Sequence, residues 1–484
     1  MTGTAGRPIL LTFDRGTLLL ERSETTVDDD DGIPAAPAHR DLPQGEPELL
    51  RLVGVRWDAR IGCHRAPAWM YAELLARARA LGIRLVDEAR VDWPVDGCWA
   101  PVLLRSYQQA ALMAWELGGR RGLIALPTGS GKTRVALAAM AALGAPALCL
   151  VPTRVLLHQW RTEIARHYAG PIGCLGDGTH DLAPVCVATF ESAYRSMDRI
   201  GAHFGLLVVD EAHHFGRGNR DEALEMAIAP ARLGLSATPP SEPVSAARLA
   251  ELVGPPIYDM SVTELAGSYL ADFRVVVLSL PLDEEERAAY EREIAAFRAA
   301  FVAYRQIRGM VSWQDFVSTA SRTAQGRAAL ASWRTSRRLV SFTRAKAAAL
   351  RELLERHRHC RVLVFTADNR TAYAVARRHL LMPITCDIGR AERDAALDAF
   401  RSGQLRALVS SRVLNEGLDV PDADVAIVLG GTQGEREHVQ RVGRLLRPAP
   451  GKHALIYELI ASGTIEVRQA ARRRRGFRPK GMAA

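Results

Sequence analysis

A lysine and a threonine follow two glycines in a stretch whose residue types suit the binding of a nucleoside triphosphate. This phosphate loop has the sequence Leu-Pro-Thr-Gly-Ser-Gly-Lys-Thr, residues 126–133, and lies between an apolar run and a helical pattern. Gly129 and Gly131 permit tight turns, so that peptide N–H groups can surround phosphate oxygens. Lys132 would reach the β- and γ-phosphates, and the Thr133 hydroxyl would bind Mg²⁺. The predicted ATP-binding residues are Pro127, Thr128, Gly129, Ser130, Gly131, Lys132 and Thr133.

Two adjacent carboxylates end a second apolar strand, 78 residues after Lys132. Asp210, at the carboxyl end of this strand, is predicted to hold Mg²⁺ through water, and Glu211 to polarise the attacking water. Such a pair is also typical of a solvated strand end. Its position after the phosphate loop, in the same strand–helix pattern, favours catalysis.

Three arginines are spaced along one predicted helix near the end of the chain. Arg441, Arg444 and Arg447 stand at i, i+3 and i+6 within Gln-Arg-Val-Gly-Arg-Leu-Leu-Arg, residues 440–447. This spacing puts them along one helix face. A planar, permanently charged guanidinium suits the charge that develops on a transferring phosphoryl group. An outward basic surface is the alternative interpretation.

Strand–helix alternation surrounds both groups of residues. Short apolar runs alternate with helical stretches from about residue 101 to 270 and again from about 342 to 470. Such runs predict parallel sheets covered on both faces. Before the first alternation, two short strands flank Asp-Arg-Gly, residues 14–16, as in a hairpin. Between the alternations lies an arginine-rich helical segment, residues 283–338.

The composition is that of a basic globular protein. The 484 residues include 63 Lys and Arg against 54 Asp and Glu, and this net charge of +9 favours an anionic partner such as nucleic acid. Seven scattered cysteines without a C-x-x-C pair argue against a disulfide framework and a thiolate zinc site. No apolar run approaches the ~18 residues of a membrane span, and the first 20 residues lack a signal-peptide pattern. We expect a soluble, cytoplasmic protein with no membrane partner.

The order of these motifs resembles that of superfamily 2 helicases. Residues 104–108 resemble the segment that reads adenine, residues 151–154 and 188–192 the segments that hold DNA phosphates, and residues 236–238 the segment that couples hydrolysis to domain movement. The resemblance implies that Gln108, Gly417 and Asp419 contact the nucleotide. It also implies that Gln440, Arg444 and Arg447 reach the γ-phosphate. The implied nucleic-acid contacts are Thr153, Arg154, Thr189, Thr366, Ser411 and Arg441.

Within that superfamily the chain is similar to the xeroderma pigmentosum group B (XPB) branch. Residues 13–17, 57–60 and 65–67 resemble its damage-recognition domain, and residues 104–109 and 440–447 are its forms of the adenine and arginine segments. The implied fold is α/β, with two tandem RecA-like domains, parallel sheets and an ATP site in the cleft between them. A small N-terminal α+β accessory domain and a helical insertion are added. The predicted boundaries are 1–100, 101–270, 271–345 for the insertion, and 346–484.

The resemblance implies an ATP- and Mg²⁺-dependent DNA helicase or translocase with 3′→5′ polarity. Single-stranded or forked DNA would be its substrate and DNA repair its role. The branch carries an Arg-Glu-Asp triplet associated with strand separation, but Pro-Pro-Ser-Glu-Pro stands there at residues 239–243. Two alternatives stay open. One is an RNA helicase or the motor subunit of a restriction or phage-defence complex, and the other is an ATP-gated DNA clamp that recruits a nuclease partner and unwinds little.

The helical insertion occupies the position of this branch's DNA-gripping thumb. It carries a set of aromatic residues and a set of arginines that are candidates for contact with nucleic acid. Aromatic residues at helical spacing, Tyr290, Phe297, Phe301 and Tyr304, are typical of a core but also suit base stacking. The arginines are phosphate-contact candidates or a solvated face. They are Arg322, Arg327, Arg334, Arg337 and Arg338.

Overall fold

The structure, a computed structural model, covers most of the chain. It describes residues 8–22, 49, 52, 54–93, 97–218, 220–240, 242–269, 272–309, 313–411, 423–430 and 453–474. The chain divides into two compact units, the first made of residues 1–126 and 131–259 and the second of residues 127–130 and 260–484. Within the described ranges, no helix combines the length and the apolar character that crossing a bilayer requires.

The first five strands form a small sheet, with the order β3-β4-β2-β1-β5. The predicted hairpin is confirmed: β1 pairs antiparallel with β2, and Arg15 and Gly16 between them have φ of 45° and 84°. Two left-handed residues match the twist of the flanking strands. One helix, α1, covers the sheet. The bounds are β1 Ile9–Asp14, β2 Thr17–Arg22, β3 Arg56–Asp58, β4 Cys63–Pro67, α1 Tyr71–Ala80 and β5 Leu85–Asp87.

The core of this small sheet continues into the next part of the chain. Ala202 and Ile228, which lie among the elements of the following parallel sheet, are buried in one cluster with Leu11 and Leu18. The side chain of Met226 occupies the space that a Cβ at Gly16 would need. The accessory region is therefore packed onto the first α/β region as part of one unit, not tethered to it as a separate body.

An eight-stranded sheet, in the order β13-β6-β12-β11-β7-β10-β8-β9, forms the rest of the first unit. All neighbours pair in parallel except β8 with β9. Its central strands are buried apolar runs, as expected for a sheet covered on both faces. The strands are β6 Arg121–Ala125, β7 Ala147–Val151, β8 Ile172–Gly176, β9 Thr179–Asp181, β10 Val185–Thr189, β11 Leu206–Val209, β12 Ala231–Ser236 and β13 Pro256–Asp259.

Helices follow these strands in the alternation that the sequence predicts. The phosphate-loop sequence connects β6 to α3, and the stretches after β7 and β10 lead into α4 and α5. Thr153 and Thr189 cap the latter two helices with their side-chain oxygens. The helices are α2 Ser106–Leu117, α3 Lys132–Leu143, α4 Arg154–Ala165, α5 Phe190–Ile200, α6 Glu222–Glu225 and α7 Pro243–Leu252.

The second unit contains a six-stranded, fully parallel sheet in the order β14-β19-β18-β15-β17-β16. The predicted start of the helical insertion at residue 271 differs from the structure, because residues 272–280 form a strand paired with β19 along its length. This nine-residue strand is half-buried, and it contains an apolar run at residues 275–278 that the predicted boundary placed in the insertion. The strands are β14 Asp272–Leu280, β15 Val362–Phe365, β16 Met382–Ile384, β17 Ala407–Ser410, β18 Val425–Val428 and β19 His453–Ala461.

The helical insertion has its own small aromatic core. Phe316 and Leu330 are buried there, with Phe297, Phe301 and Tyr304 packed against them. These three rings lie 4.9–6.0 Å from the Phe316 ring, so the aromatic residues serve as core and not as base-stacking surfaces. The helices of this unit are α8 Val262–Leu265, α9 Glu284–Arg308, α10 Trp313–Ala320, α11 Ala324–Ser341, α12 Arg344–Arg356, α13 Asn369–His379, α14 Arg390–Arg401 and α15 Ile465–Arg474.

Candidate functional site

Five neighbouring parallel strands bring the predicted residues to one edge of the first unit's sheet. In the sheet order β6-β12-β11-β7-β10, the carboxyl ends carry in turn the phosphate loop, Ser236, Asp210, Thr153 and Thr189. The carboxyl ends of parallel strands all lie at the same edge, where α/β sheets bind their ligands. The structure therefore brings together residues that stand more than 100 positions apart in the sequence.

The two glycines of the phosphate loop are both needed for its shape. Gly129 and Gly131 have φ of 85° and 79°, in the left-handed region that side chains disfavour. A Cβ at Gly131 would also lie 2.5 Å from Nε2 of Gln108. The loop thus has space only for backbone at this point, which suits a loop whose peptide groups approach phosphates closely.

The side chains of the loop are oriented by short-range hydrogen bonds. Lys132 begins α3, is buried, and its Nζ donates to the carbonyl of Leu126 at 3.1 Å. The Ser130 hydroxyl donates to the carbonyl of Pro127 at 2.7 Å. In the part of the chain that is described, the buried Thr128 hydroxyl has no hydrogen-bond partner. An unsatisfied buried hydroxyl in a loop of this shape fits a site that a polar ligand completes.

Gln108 lies against the phosphate loop. Its Nε2 donates to the carbonyl of Gly131 at 3.4 Å, and its Oε1 accepts from the backbone N–H of Arg105 at 2.9 Å. The structure thus places the predicted adenine-reading residue beside the predicted phosphate-binding residues. Its contact with a base stays a prediction.

Asp210 is the more deeply buried of the two acids. Its Oδ2 accepts a hydrogen bond from Nε1 of Trp160 at 2.9 Å, and its Oδ1 accepts from the N–H of Glu211 at 3.0 Å. Burial and then the charge of Glu211 raise the pKa of Asp210 to about 6, while Lys132 and the Trp160 hydrogen bond oppose the shift. A fixed, electrostatically strained carboxylate beside a lysine is the kind of group that a bound cation stabilises.

Glu211 occupies a backbone conformation that directs its carboxylate. Its φ is 50°, which is uncommon for a side chain larger than Asn or Asp. Its Oε2 is buried and lies 3.3 Å from Nδ1 of His213, without hydrogen-bonding geometry to any group among the described residues. A buried carboxylate oxygen with unused accepting capacity fits the predicted role of orienting a water.

His213, which lies 3.3 Å from Glu211, begins a hydrogen-bond chain to the predicted coupling segment. Nδ1 of His213 lies 3.1 Å from the Ser236 hydroxyl, which donates to the carbonyl of Thr238 at 2.9 Å. Sequence reasoning assigned no role to His213 or to Trp160. A tryptophan at helical spacing ordinarily indicates a core residue, and a single histidine does not by itself indicate a functional site. Their functional placement depends on strands that only the fold brings together.

Two helix N-termini lie side by side at the same sheet edge. Strands β7 and β10 are parallel neighbours, and Thr153 and Thr189 cap the helices that follow them. The guanidinium of Arg154, which is largely exposed, lies 3.3 Å from the carboxylate of Asp177. Capped N-termini carry partial positive charge and N–H donors, and they suit phosphate groups.

In the second unit, the two predicted nucleic-acid contacts are buried. The Thr366 hydroxyl donates to the carbonyl of Asp368 at 3.1 Å, and the Ser411 hydroxyl donates to Oδ1 of Asn369. Both residues are fully buried. As placed, both hydroxyls make hydrogen bonds within the loop after β15, and their contact with nucleic acid stays a prediction. The exposed cation next to them is Arg370.

Several predicted residues lie outside the described residues. These are Gly417, Asp419, Gln440, Arg441, Arg444 and Arg447. Their roles toward the nucleotide and the nucleic acid stay predictions from the resemblance.

Three segments of the accessory sheet that the resemblance singled out meet at Arg65. Its guanidinium lies 3.1 Å from Asp14 and 3.3 Å from Asp58, and also donates to the hydroxyl of Thr17. Asp58 is bonded in turn to Arg60, whose hydrogen bond lowers the pKa of Asp58 to about 2. This charge network fixes the β3–β4 turn, and the exposed ring of Trp57 lies on β3 next to it.

The residues present fit a magnesium nucleotide. Among the described residues, no cluster of three or more His, Cys, Asp or Glu side chains could hold a metal alone. Mg²⁺ characteristically takes one or two protein oxygens and completes its shell with phosphates and water. Asp210 and Thr133 would supply such oxygens, at a strand end and at the start of α3.

Models of three families match successive parts of the chain. They are the xeroderma pigmentosum group B helicase damage recognition domain at residues 11–89, the type III restriction enzyme res subunit at 102–241, and the helicase conserved C-terminal domain at 345–449. The Hef helicase domain of Pyrococcus furiosus has a similar fold, with a TM-score of 0.50 and 19% identity over 76% of this chain and 97% of that one. Fold and site together define a helicase-class motor, and the predicted fold class is confirmed.

The sequence relatives are more specific. The "DNA 3'-5' translocase XPB2" of Sulfurisphaera tokodaii is 34% identical over 87% of this chain and 96% of its own length. The "DNA 3'-5' helicase XPB" of Mycobacterium tuberculosis is 28% identical over 81% and 69%, and the "Putative DNA 3'-5' helicase Rad25" of Halobacterium salinarum 32% over 78% and 58%. The chain belongs to the XPB family of helicases.

Proposed function

We infer that this protein is an ATP-dependent DNA helicase or translocase that moves 3′→5′ and acts in DNA repair. The observation that carries the inference is one sheet edge on which a phosphate loop, an Asp-Glu pair and two capped helix N-termini meet. Membership of the XPB family supplies DNA as the substrate and the polarity, since relatives carry both in their names.

We propose the following roles at the ATP site. The backbone of Gly129 and Gly131 and the amine of Lys132 bind the phosphates, and Gln108 reads the base. Mg²⁺, when bound, would neutralise charge on the β- and γ-phosphate oxygens through Asp210 and Thr133. Glu211 orients the attacking water through its unused Oε2 and receives its proton. The residues Gln440, Arg444 and Arg447 are proposed to complete the site on the basis of the resemblance alone.

Coupling of hydrolysis to movement is proposed to pass from Glu211 through His213 to Ser236 and Thr238. These groups form one contiguous contact chain within the first unit. A change in the water-binding acid is thereby transmitted to the segment after β12 without crossing a loop.

DNA is proposed to bind with phosphates on the N-termini of α4 and α5. Their caps, Thr153 and Thr189, each accept from one backbone N–H of the first turn, other first-turn N–H groups lack intrahelical partners, and Arg154 adds an exposed cation. Such contacts recognise the backbone and not the base sequence, which suits a motor that moves along any sequence.

An ATP-gated clamp that recruits a nuclease partner and unwinds little is the second candidate. Where the XPB branch carries Arg-Glu-Asp, Glu242 caps α7 by accepting from the N–H groups of Val244 and Ser245. Pro243 occupies the first turn of that helix. The segment is therefore built as a helix start, without a free charged triplet. A restriction-complex motor is less favoured, since the damage-recognition model matches residues 11–89.

The test is ATP hydrolysis by the full chain alone and with single-stranded DNA, forked duplex DNA and RNA. We expect stimulation by DNA and weak or no stimulation by RNA. Strand displacement on the forked duplex is then measured in parallel. Hydrolysis stimulated by DNA without displacement would select the clamp, and stimulation by RNA alone would overturn the DNA assignment.

A further inference from the structure

A tight turn between β8 and β9 presents an acidic side chain at one edge of the first parallel sheet. The strands are antiparallel and Gly176 pairs with Thr179, so the loop between them consists of Asp177 and Gly178. These two residues have φ of 54° and 80°, as in the two-residue hairpin turn that favours an Asp-Gly sequence. The backbone of this short turn therefore fixes where the carboxylate of Asp177 is presented.

The turn packs against both helices whose N-termini are proposed to bind DNA phosphates. Strands β8 and β10 are parallel neighbours, so the carboxyl end of β8 lies beside that of β10. A Cβ at Gly176 would lie 2.9 Å from Cγ2 of Thr189, the cap of α5, and 3.0 Å from Cδ1 of Leu157 on α4. The turn thus lies at the sheet edge where the two capped N-termini stand.

The carboxylate of Asp177 contacts the cation that is predicted to bind DNA. Its Oδ1 lies 3.3 Å from Nη1 of Arg154, the first residue of α4. Its Oδ2 lies 2.9 Å from Nε2 of His158, which follows Arg154 by four residues on the same helix face. The carboxylate therefore lies alongside the first turn of α4, where the helix dipole favours an anion.

This contact is exposed to solvent and can be exchanged for another. The side chain of Arg154 is 74% exposed and that of Asp177 is 31% exposed. An ion pair exposed to this extent is weak, because water and salt screen it. A carboxylate and a phosphodiester both present two oxygens and one negative charge to a guanidinium, so a DNA phosphate can replace the carboxylate at Arg154.

We propose that Asp177 occupies the place of a DNA phosphate at the N-terminus of α4 and competes with the DNA backbone for Arg154. The proposal rests on the proposed function, because it concerns the regulation of that same DNA contact. Without DNA, the carboxylate neutralises the cation, and a strand that binds must displace it. Breaking the ion pair lowers the net affinity for DNA. A motor has to release each phosphate as it moves, and an internal anion at the contact favours that release.

The test removes the charge of Asp177 and keeps the turn. Asp177→Asn does so because Asn is well tolerated at a positive φ. Affinity of the full chain for a fluorescent oligo(dT) is measured without ATP at one ionic strength. We expect binding to be tighter by roughly 2- to 5-fold, the range that corresponds to an exposed ion pair that no longer has to be broken. Asp181→Asn, at an exposed acid on β9, changes the net charge equally and should bind as the wild type does.

A double-substitution cycle tests the competition for Arg154 itself. Arg154→Gln alone should weaken binding, because the cation at the phosphate is lost. In that background Asp177→Asn should strengthen binding no more than the Asp181→Asn control does, because no cation is left to release. In the otherwise wild-type chain, Asp177→Asn should lower the DNA concentration that half-maximally stimulates ATP hydrolysis and leave hydrolysis without DNA unchanged.

Three results would overturn the proposal. They are an unchanged affinity in Asp177→Asn, an equal gain in Asp181→Asn, which would show general repulsion of DNA, and an undiminished gain in the Arg154→Gln background. Thermal unfolding checks that the variants fold. Asp177→Gly also suits the turn and should reproduce the gain, and a folded Asp177→Gly without the gain would assign the effect to the turn and not to the charge. Absence of oligo(dT) binding by the wild-type chain would contradict the proposed function itself.

Discussion

Two neighbouring acids, Asp210 and Glu211, have different surroundings at a single strand end. Asp210 is fixed by Trp160 and by a backbone N–H, and burial raises its pKa. Glu211 retains a buried oxygen without a hydrogen bond in the described structure. One carboxylate is therefore held rigidly for a cation and the other is left with capacity for a water. The two roles differ because the surroundings of the two carboxylates differ, since both side chains carry the same functional group.

Substituting Glu211 tests the water-activating role. Glu211→Gln keeps the shape of the side chain and removes its basicity. ATP binding should persist while turnover falls by ~10²-fold or more, as expected on losing a general base. Glu163→Gln changes a partly exposed acid of α4 that is paired with Arg166, and as the control it should hydrolyse ATP normally. Equal turnover in the two variants would show that Glu211 is a strand-end acid without a catalytic role.

Substituting Asp210 tests whether its buried negative charge destabilises the folded protein. A carboxyl whose pKa of about 6 in the folded protein exceeds the ordinary value of 3.8 stabilises the fold when it is protonated. That stability is present at low pH and is lost as the pH rises through about 6. In urea unfolding without Mg²⁺, the unfolding free energy of Asp210→Asn should exceed that of the wild type by about 3 kcal/mol at pH 7.5 and by roughly half of that at pH 5. The exposed Asp198→Asn serves as control. If Asp210→Asn is less stable than the wild type at pH 7.5, the ionised Asp210 carboxylate does not destabilise the fold.

At the scale of elements, a buried ion pair joins three parts of the second unit. Nζ of Lys346, on α12, donates to Glu466 of α15 at 2.6 Å. It also donates to the carbonyls of Val340 and Leu429, each at 2.7 Å, at the ends of α11 and β18. All three hydrogen-bonding positions of the ammonium are satisfied by acceptors, which is the condition under which a buried charge is tolerated. The pair fixes the insertion, the sheet and the last described helix together.

Breaking this pair should be costly. Lys346→Met leaves the Glu466 carboxylate buried beside two unpaired carbonyls, and the expected loss of unfolding free energy is about 3–5 kcal/mol. Lys346→Met/Glu466→Gln should be less destabilised than the sum of the single variants. Arg344→Ala removes an exposed cation next to Asp283 and Glu285 and should cost about 0–1 kcal/mol. The unfolding free energies are measured by urea unfolding. If Lys346→Met loses no more unfolding free energy than Arg344→Ala, the buried ion pair does not hold these elements together.

The elements also show where sequence reasoning succeeds and fails. Strands β6, β7 and β11 are continuous apolar runs before loops with glycine or acids, and they were predicted because burial on both faces requires such runs. Strand β14 was assigned to the insertion because it lies in the sequence between the two strand–helix alternations, far from its partner strand β19. The roles of Trp160 and His213 were missed because the residues that they contact, Asp210 and Ser236, are distant from them in the sequence. Thr366 and Ser411 matched a motif, but their hydroxyls are used internally.

At the scale of the whole molecule, the accessory sheet and the first parallel sheet share a core. Ala202 and Ile228 lie in the accessory cluster, and the ring of Trp69 contacts both cores. The backbone N–H of Val91 donates to the carbonyl of Ala202 at 3.1 Å. The accessory region therefore supports the ATP-binding unit as well as presenting its own surface.

Truncation tests this dependence. Deleting residues 1–100 exposes Ala202, Ile228 and Met226, and we expect a thermal midpoint several degrees lower, at roughly 2–4 °C per kcal/mol for a unit of this size. Ile228→Ala in the full chain should shift the midpoint in the same direction. Leu117→Ala changes an exposed side chain of α2 and, as the control, should leave the midpoint unchanged. An unchanged midpoint after removal of residues 1–100 would show that the first parallel sheet is self-sufficient.

The central claim is that the phosphate loop of this chain drives movement on DNA. It is tested most directly by measuring DNA-stimulated ATP hydrolysis together with displacement of streptavidin from a biotinylated strand, for the wild type, Lys132→Ala and Arg166→Ala. Lys132 is the cation placed at the β- and γ-phosphates, whereas Arg166 is an exposed cation beside Glu163 on the same unit. The account predicts that Lys132→Ala folds normally and loses both activities by ~10²-fold or more, and that Arg166→Ala retains both. Undiminished hydrolysis and displacement in folded Lys132→Ala would contradict it.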